Sequence, residues 1–246
     1  MGPREFHPEI SSTQDRAKEL ARAGAPEGTR VVALVQTRGR GRLDRAWASP
    51  PGGLYLSILL RSPPEHVSLL PLSLGARIAE EFSRTLDEPF RVKWPNDVLA
   101  ASERGRLRKV AGVLVDRVDT RESLSMEVAG IGVNVSTDAS QLPPEVRDHA
   151  TSLAAVSSRA ISVDTVEEMV VRAASHAVDG LRADDGPEST VALCRRWMWG
   201  MGHEATLDGA PSGTIAGIDA EGALLLDRGS ERVAIRTGEV RVQGAG

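Results

Sequence analysis

Two long apolar runs separated by a short polar segment place the strongest constraint on the fold of this chain. Residues 110–118 (VAGVLVDRV) and 124–135 (LSMEVAGIGVNV) are rich in β-branched side chains, and the segment DTRES lies between them. This pattern predicts two strands joined as a hairpin. The sheet of this chain is therefore expected to contain an antiparallel pair.

The other segments alternate between helix and strand patterns. Helices are predicted from about residue 11 to Gly24 and over 66–86, 163–182 and 188–199, and strands over 30–35, 54–60 and 90–93. From residue 204 onward, five short apolar runs separated by glycine or polar turns predict a small all-β unit. We therefore expect a mixed α/β domain over residues 1–200 and a small β domain over residues 201–246.

Composition excludes several classes of protein. The net charge of −4 argues against a strongly basic nucleic-acid-binding surface. Cys194 is the only cysteine, so no internal disulfide can form and a reducing compartment is expected. The first residues lack the apolar run of a signal peptide, and no stretch is long and apolar enough to span a membrane. A cytoplasmic protein that does not contact membranes is therefore expected.

The segment 36–53 (QTRGRGRLDRAWASPPGG) has no periodicity and predicts a long functional loop. Its arginines alternate with glycines over residues 38–45. Glycine lets backbone N–H groups approach a phosphate, and arginine adds bidentate cationic donors. The loop is thus a candidate for binding a triphosphate, although a solvated basic turn or a weak nucleic-acid contact would have the same composition.

Three further motifs have both a functional and a structural interpretation. In KWPND (93–97), Asp97 could hold Mg²⁺ or a ribose hydroxyl, or the segment could be an ordinary turn. In RKVAGVLVD (108–116), a lysine opens a strand and could extend to solvent, while Gly112 suggests close approach of a ligand. The glycines of GIGVNV (130–135) could mark either a ligand or a β-bulge.

Together these motifs resemble those of the biotin protein ligase family, closely over residues 11–135 and loosely elsewhere. The family pattern is Ser-Thr-Asn/Gln, a GRGR loop ending in W-x-S-P-x-G-G-L-Y, then K-W-P-N-D, K-x-x-G-I-L and G-I-G-x-N. The matching positions here are 12–14, 39–42, 47–50 with 52–55, 93–97, 109–114 and 130–134. Five motifs in this order are more specific than any one of them.

The resemblance implies an α+β fold in which a mixed sheet is flanked by helices, as in class II synthetases, followed by a C-terminal SH3-like β-barrel. It implies a ligase that forms biotinyl-5′-AMP from biotin and ATP, with Mg²⁺ as cofactor. Biotin would then pass to a lysine of a biotin carboxyl carrier domain. Because bifunctional members carry a DNA-binding domain before the catalytic module and few residues precede Ser11, no repressor activity and no DNA partner are expected.

The resemblance also implies roles for individual residues. Lys109, Arg40 and Arg42 are the expected catalytic residues, with Lys109 at the biotin carboxylate and the α-phosphate. The expected biotin-binding residues are Ser12, Thr13, Gln14, Gln36, Gly39, Arg40, Lys109, Gly112 and Gly132. The expected ATP-binding residues are Arg42, Arg45, Trp47, Asn96, Asp97 and Asn134, with Asp97 also the expected Mg²⁺ ligand.

Two positions depart from the family pattern. Leu43 and Asp44 precede Arg45 where many members have glycine. Asp44 adds negative charge near the expected phosphate site, and a residue with a side chain is expected to restrict positive φ there. Gln14 replaces the commoner asparagine and lengthens the reach of the amide.

Other residues have no assigned chemistry. Trp47 could pack against the ligand or anchor the loop, and Trp197 and Trp199 are expected to pack between the two domains. The five histidines show no metal-binding spacing and are interpreted as structural or surface residues.

Three other functions compete with this interpretation. A lipoate or octanoyl transferase has a related fold, but its Arg-Arg and Gly-Gly-Gly pattern is absent. A nucleic-acid-binding module disagrees with the acidic charge and scarce aromatics. A non-catalytic scaffold would require that Asp44 disable the phosphate loop. The sequence does not distinguish a monomer from a homodimer.

Overall fold

The computed structural model describes residues 2–101, 106–120 and 125–242. Its strands are β1 (Arg4–Ile10), β2 (Arg30–Gln36), β3 (Gly53–Leu60), β4 (Phe90–Lys93), β5 (Asp97–Ala101), β6 (Leu107–Asp119), β7 (Ser125–Asn134), β8 (Glu204–Leu207), β9 (Ala210–Ile218), β10 (Leu224–Arg228), β11 (Glu231–Ile235) and β12 (Val240–Val242). Its helices are α1 (Thr13–Arg22), α2 (Leu70–Leu86), α3 (Pro144–Arg147), α4 (Leu153–Val156), α5 (Val163–Arg182) and α6 (Gly186–Trp197). Most of the hairpin turn at 119–123 and part of the polar turn predicted at 100–108 lie outside the described residues.

The larger sheet is mixed, as expected. Its strand order is β1-β2-β3-β7-β6-β5-β4, with β1 parallel to β2 and every other pair antiparallel. The predicted hairpin is confirmed, because β6 and β7 pair from Ala111↔Val133 to Asp119↔Ser125. This pairing also sets Gly112 directly opposite Gly132 in the middle of the sheet.

Helices cover both faces of this sheet, as expected. Strand β3 is buried along its whole length, and its leucine and isoleucine side chains contribute to two apolar clusters. Leu56 and Ile58 belong to the larger cluster, which includes buried residues of α2 and α5. Leu59 belongs to the smaller cluster, which is closed by Ala17 and Ala21 of α1. The sheet is thus sandwiched between helices, and its loop ends are left free to build a site.

Strands β1 and β5 were not predicted. Strand β1 (REFHPEI) mixes charged residues with proline and lies at the sheet edge, where only β2 pairs with it. Its anchor is distant in sequence: the guanidinium of Arg4 donates two hydrogen bonds of 2.8 Å to Glu167 on α5, and Arg30 donates one of 3.0 Å. Because such an anchor leaves no local pattern, β1 could not be recognised from periodicity.

Glu167→Ala is expected to destabilise the fold by about 2 kcal/mol, because it leaves two arginines without their partly buried partner. Burial would raise the pKa of Glu167, but hydrogen bonds from Arg4 and Arg30 hold this pKa below its ordinary value. The stabilisation is therefore present above the unfolded pKa of about 4.3 and is lost as pH falls through the folded pKa. Thermal denaturation of Glu167→Ala and of its exposed neighbour Glu168→Ala across pH tests this. Equal melting temperatures for both variants at pH 7 would contradict it.

The second sheet confirms the five short strands predicted after residue 204. Its order is β11-β10-β9-β8-β12, and all its pairs are antiparallel. Ile215 and Leu224 belong to the same apolar cluster as the core of the larger sheet, and Trp94 Nε1 donates a 3.0 Å hydrogen bond to Gly222 O. The domain division at residue 200 stays a prediction. No helix in the described parts of the chain combines the length and apolar character needed to cross a bilayer.

Candidate functional site

A cavity of about 800 Å³ opens where the loop ends of the larger sheet meet the second sheet. Its walls come from the 36–53 loop, the 93–97 motif, strands β6 and β7, the segment 142–150 and residues 238–242. The predicted site residues that line it are Thr13, Gln14, Gln36, Arg40, Arg42, Arg45, Trp47, Asn96, Asp97, Lys109, Gly112, Gly132 and Asn134. Ser12 and Gly39 are not on its walls. Ser12 caps α1 by accepting a 3.3 Å hydrogen bond from Asp15 N.

Lys109 presents its ammonium group to the cavity. Its backbone is held by the segment after β7, since Lys109 N donates to His149 O at 2.8 Å and Lys109 O accepts from Thr151 N at 2.9 Å. The Nζ atom lies 2.6 Å from Asp97 Oδ1 and 4.8 Å from the centre of the Trp47 ring. The cation is therefore fixed between a carboxylate and an aromatic face, with about a third of its side chain exposed.

Trp47 lies across the paired glycines of β6 and β7. A Cβ atom on Gly112 would approach Trp47 Cζ3 to 2.8 Å, and one on Gly132 would approach Trp47 Cε2 and Nε1 to 2.5 Å. Only glycine therefore allows the indole to lie this close to the sheet. The indole packs on the sheet at these two glycines, and its buried Nε1 has no hydrogen-bond partner among the described residues.

The 93–97 motif connects the arginine loop to the sheet. Asn96 Nδ2 donates to Val113 O at 2.7 Å, and Asn96 Oδ1 accepts from Arg42 Nη1 at 3.3 Å. Burial lowers the pKa of the Arg42 guanidinium, while the charge of Asp97 acts in the opposite direction. Across the cavity, the amide of Asn134 donates to Thr151 O at 3.0 Å. Lys109, Arg42 and Asp97 thus meet in one part of the site.

The arginine loop is held by carboxylates on both sides. Arg40 Nε lies 2.9 Å from Asp15 Oδ1 on α1, and Arg45 Nη2 lies 2.7 Å from Glu239 Oε2 beside β12. The hydrogen bond from Arg45 lowers the pKa of Glu239. Both contacts are largely exposed, so each stabilises the loop by less than about 1 kcal/mol.

Leu43 and Asp44 form the tip of this loop in left-handed conformations, with φ of 54° and 57°. Both residues therefore adopt the positive φ that their side chains were expected to restrict. A tight turn imposes this backbone, because Gly41 N donates to Arg45 O at 2.7 Å and Arg45 N to Arg42 O at 3.2 Å. The conformation costs about 1–2 kcal/mol for each residue. Among the described residues, Asp44 forms no ion pair within 4.0 Å.

The opposite end of the cavity is polar and deeply buried. Thr13 and Ser57 place their hydroxyl oxygens 2.9 Å apart, and Gln36 Oε1 accepts from Thr13 N at 2.8 Å. The amide of Gln14 is used within the protein, since Nε2 donates to Asp116 and to Val128 O at 2.9 Å each. This end therefore offers hydroxyl and amide groups, whereas the Lys109 end offers positive charge.

Sequence reasoning missed several residues on the cavity walls. Ser57 lies within a uniformly apolar strand, where its hydroxyl gave no functional signal. His149 was interpreted as a structural or surface residue, yet it lines the cavity. Glu239 reaches the site only because the second sheet folds against the first. A different interpretation of the local pattern would not have identified these residues, because their neighbours in space are distant in sequence.

Comparisons with known proteins agree over most of the chain. Residues 6–134 match the family described as Biotin/lipoate A/B protein ligase, and residues 204–242 match the Biotin protein ligase C terminal domain. The bifunctional ligase/repressor BirA of Bacillus subtilis (strain 168) is 32% identical over 229 residues, which cover 90% of this chain and 68% of the relative. A biotin–[acetyl-CoA-carboxylase] ligase of Paracoccus denitrificans is 30% identical over 240 residues, covering 93% of this chain and 96% of the relative.

A solved structure extends the similarity to the fold. A biotin protein ligase from Aquifex aeolicus, in complex with biotin and ATP, superposes with a TM-score of 0.82 at 31% identity, and 99% of each chain is covered. The similarity therefore includes both sheets.

Proposed function

The chain belongs to the biotin/lipoate A/B protein ligase family, and on that basis we propose that it forms biotinyl-adenylate from biotin and ATP. The biotinyl group then passes to a lysine of a biotin carboxyl carrier domain. In the first step a biotin carboxylate oxygen attacks the α-phosphorus of ATP, and pyrophosphate leaves. In the second step the lysine amine attacks the acyl carbon, AMP leaves, and the amine proton passes to solvent.

One observation carries the proposal: a single cavity joins a buried polar end to a cationic end. The polar end, at Thr13 and Gln36, suits the ureido ring of biotin, which has both donors and an acceptor. The cationic end, at Lys109 and Arg42, suits the carboxylate and the α-phosphate. The apolar chain of biotin would lie between the two, beside the indole of Trp47.

The cationic end addresses the main electrostatic problem of adenylation. Two anions must meet in a partly dehydrated site, where their repulsion is far stronger than in water. Lys109 and Arg42 supply positive charge where negative charge accumulates in the transition state. The ion pair of Lys109 with Asp97 holds the ammonium group in place before substrates bind, so little reorganisation is needed.

Asp97 also fits the expected magnesium ion. Mg²⁺ at nucleotide sites is usually held by one or two carboxylates together with substrate phosphates and water. Asp97 lies in the cavity beside Lys109, and the described residues contain no group of three or more metal-binding side chains, so phosphate and water would have to supply the ion's other ligands. Asp97 would hold the ion, and the bound ion would neutralise phosphate charge. The glycine-rich loop would exclude water from the hydrolysable anhydride.

Pyrophosphate exchange tests the proposed function. The protein is incubated with ATP, Mg²⁺, labelled pyrophosphate and one of three acids: biotin, lipoate or octanoate. Exchange with biotin is the expected result, followed by labelling of a biotin carboxyl carrier domain but not of the same domain with its acceptor lysine replaced by arginine. Exchange only with lipoate or octanoate would assign the chain to the other branch of the family and overturn the proposal.

A further inference from the structure

The cationic end of the cavity lies close to β4, the edge strand of the larger sheet. Arg91 on β4 pairs with Leu99 on β5, and Leu99 pairs with Lys109 on β6, so the three side chains lie on one face of the sheet. Val92 and Val110, their neighbours along the strands, are buried on the opposite face in the cluster that includes α2. Because adjacent strands are about 4.8 Å apart, Arg91 lies about 10 Å from Lys109 across the sheet.

The segment after α6 runs beside β4 and carries two tryptophans. Trp199 N donates to Val92 O at 2.8 Å, which holds this segment against the edge of the sheet. Trp199 lines the cavity together with Lys93. Further from the cavity, the guanidinium carbon of Arg91 lies 5.8 Å from the centre of the Trp197 ring. Tryptophan and cationic side chains therefore continue from the cavity wall to the partly exposed surface beside β4.

Two further arginines and a methionine extend this surface toward the second sheet. The guanidinium carbon of Arg196 lies 5.9 Å from the centre of the Trp197 ring, so two arginines contact the same indole. A Cβ atom on Gly217 would lie 3.4 Å from Arg195 Nε and 3.9 Å from Met201 Cε, which places these two side chains together. Arg195, Arg196 and Met201 are exposed. The arginine–tryptophan surface is defined as Arg91, Arg195, Arg196, Trp197 and Met201.

The positive charge of this surface is not neutralised by neighbouring carboxylates. Among the described residues, no carboxylate oxygen lies within 4.0 Å of a guanidinium nitrogen of Arg91, Arg195 or Arg196. Arg91 Nη1 donates to Phe90 O at 2.8 Å and Arg195 Nη2 donates to Ile218 O at 2.6 Å, so both meet uncharged carbonyl groups. Arginine, tryptophan and methionine are the residue types enriched at protein–protein interfaces. The composition and the unpaired charge therefore favour a surface that binds an acidic protein.

The transfer step brings such a partner to this region. In the proposed reaction the acceptor lysine must reach the acyl carbon beside Lys109, and a folded domain is wider than the about 10 Å that separate Lys109 from Arg91. The approaching lysine is itself a cation, so Lys109 and Arg42 repel it. Acidic residues next to the acceptor lysine would offset this repulsion by pairing with the unpaired arginines. Nucleic acid is the less favoured partner, because the chain has a net charge of −4.

We propose that the arginine–tryptophan surface docks the acceptor domain by binding acidic residues that flank the acceptor lysine. The proposal rests on the proposed function, which requires an acceptor but assigns it no binding surface on this chain. Trp197 and Met201 supply apolar contact area, and the arginines supply the charge that attracts and selects an acidic partner. None of the five residues is on the cavity walls, so the surface acts on the transfer step and leaves adenylation unaffected.

Charge reversal tests the proposal by separating transfer from adenylation. For the wild type, Arg91→Glu, Arg196→Glu and the double variant, kcat/KM for a biotin carboxyl carrier domain is measured beside pyrophosphate exchange without that domain. We expect the double variant to lower kcat/KM for the carrier domain about tenfold and to keep exchange within about twofold of the wild type. Arg22→Glu, the same charge change at an exposed arginine in the last turn of α1, should alter neither. Added salt should lower kcat/KM for the carrier domain more in the wild type than in the double variant.

The outcomes separate this proposal from the proposed function. Normal exchange with unchanged transfer in the double variant would overturn the docking surface alone, as would equal losses of exchange and transfer, which would indicate damage to the cavity. Salt-sensitive binding of duplex DNA that the double variant loses, with transfer unchanged, would assign the surface to nucleic acid instead. No biotin-dependent exchange by the wild type would overturn the proposed function and the docking proposal with it. The salt dependence of the wild type decides the question even if a variant does not fold, because transfer insensitive to salt would contradict an electrostatic docking surface.

Discussion

Lys109→Ala is expected to lower kcat for biotin-dependent adenylation by at least about a hundredfold, because in the proposed mechanism it removes a fixed cation from the point where the two anions would react. The ammonium group of Lys109 is held 2.6 Å from Asp97 at the cationic end of the cavity. Loss of a charge that stabilises the transition state lowers kcat more than it raises KM for either substrate. Initial rates of pyrophosphate exchange over a matrix of biotin and ATP concentrations measure this effect.

The control for this variant is Arg232→Ala, which removes an ion pair of the same 2.6 Å length, with Asp227, on the exposed side of the second sheet. It should retain wild-type kcat. Lys109→Arg keeps the charge but replaces a compact ammonium with a planar group, so it should recover only part of the lost rate. A kcat for Lys109→Ala within threefold of the wild type, with the fold intact by circular dichroism, would remove Lys109 from the proposed mechanism.

Gly132→Ala is expected to raise KM for biotin about ten- to a hundredfold, as overpacking by one methyl group costs about 1–3 kcal/mol. The new Cβ would lie 2.5 Å from the indole of Trp47, so the ring must move into the cavity or take the loop with it. The backbone at Gly132 does not have positive φ, so the effect arises from space alone. Exchange kinetics measure KM. Gly180→Ala, where no neighbouring atom is closer than 3.7 Å, is the matched control.

A double-mutant cycle shows whether the indole is the cause. If the defect of Gly132→Ala comes from the contact with Trp47, it should be much smaller in a Trp47→Ala background. Additive effects of the two substitutions would instead mean that the methyl group interferes with the ligand directly. The cycle thus also measures whether Trp47 serves mainly as an anchor of the loop or as a wall of the binding site.

Features that depend on neighbouring residues could be predicted from the chain. The β6–β7 hairpin, the long helices and the five strands of the second sheet all follow from periodicity and turn residues, because each pattern reflects burial of one side of a local element. The resemblance carried by the motifs also identified a group of residues that line the cavity, from Thr13 to Asn134, but not the walls formed by the segment 142–150 and residues 238–242. Strands β1 and β5 were missed, since one is an edge strand with alternating charges and the other follows directly after the KWPN turn.

Contacts between distant segments required the three-dimensional structure. Three contacts of the site join elements that are separate in the sequence. They are the ion pair of Lys109 with Asp97, the packing of Trp47 on Gly112 and Gly132, and the ion pair of Arg45 with Glu239. The direction of the hydrogen bonds around Gln14 depends on Asp116 and Val128, which are more than a hundred residues away in the chain. A local sequence pattern indicates whether a side chain is buried. The groups that form hydrogen bonds or ion pairs with that side chain depend on how the sheets and loops pack together.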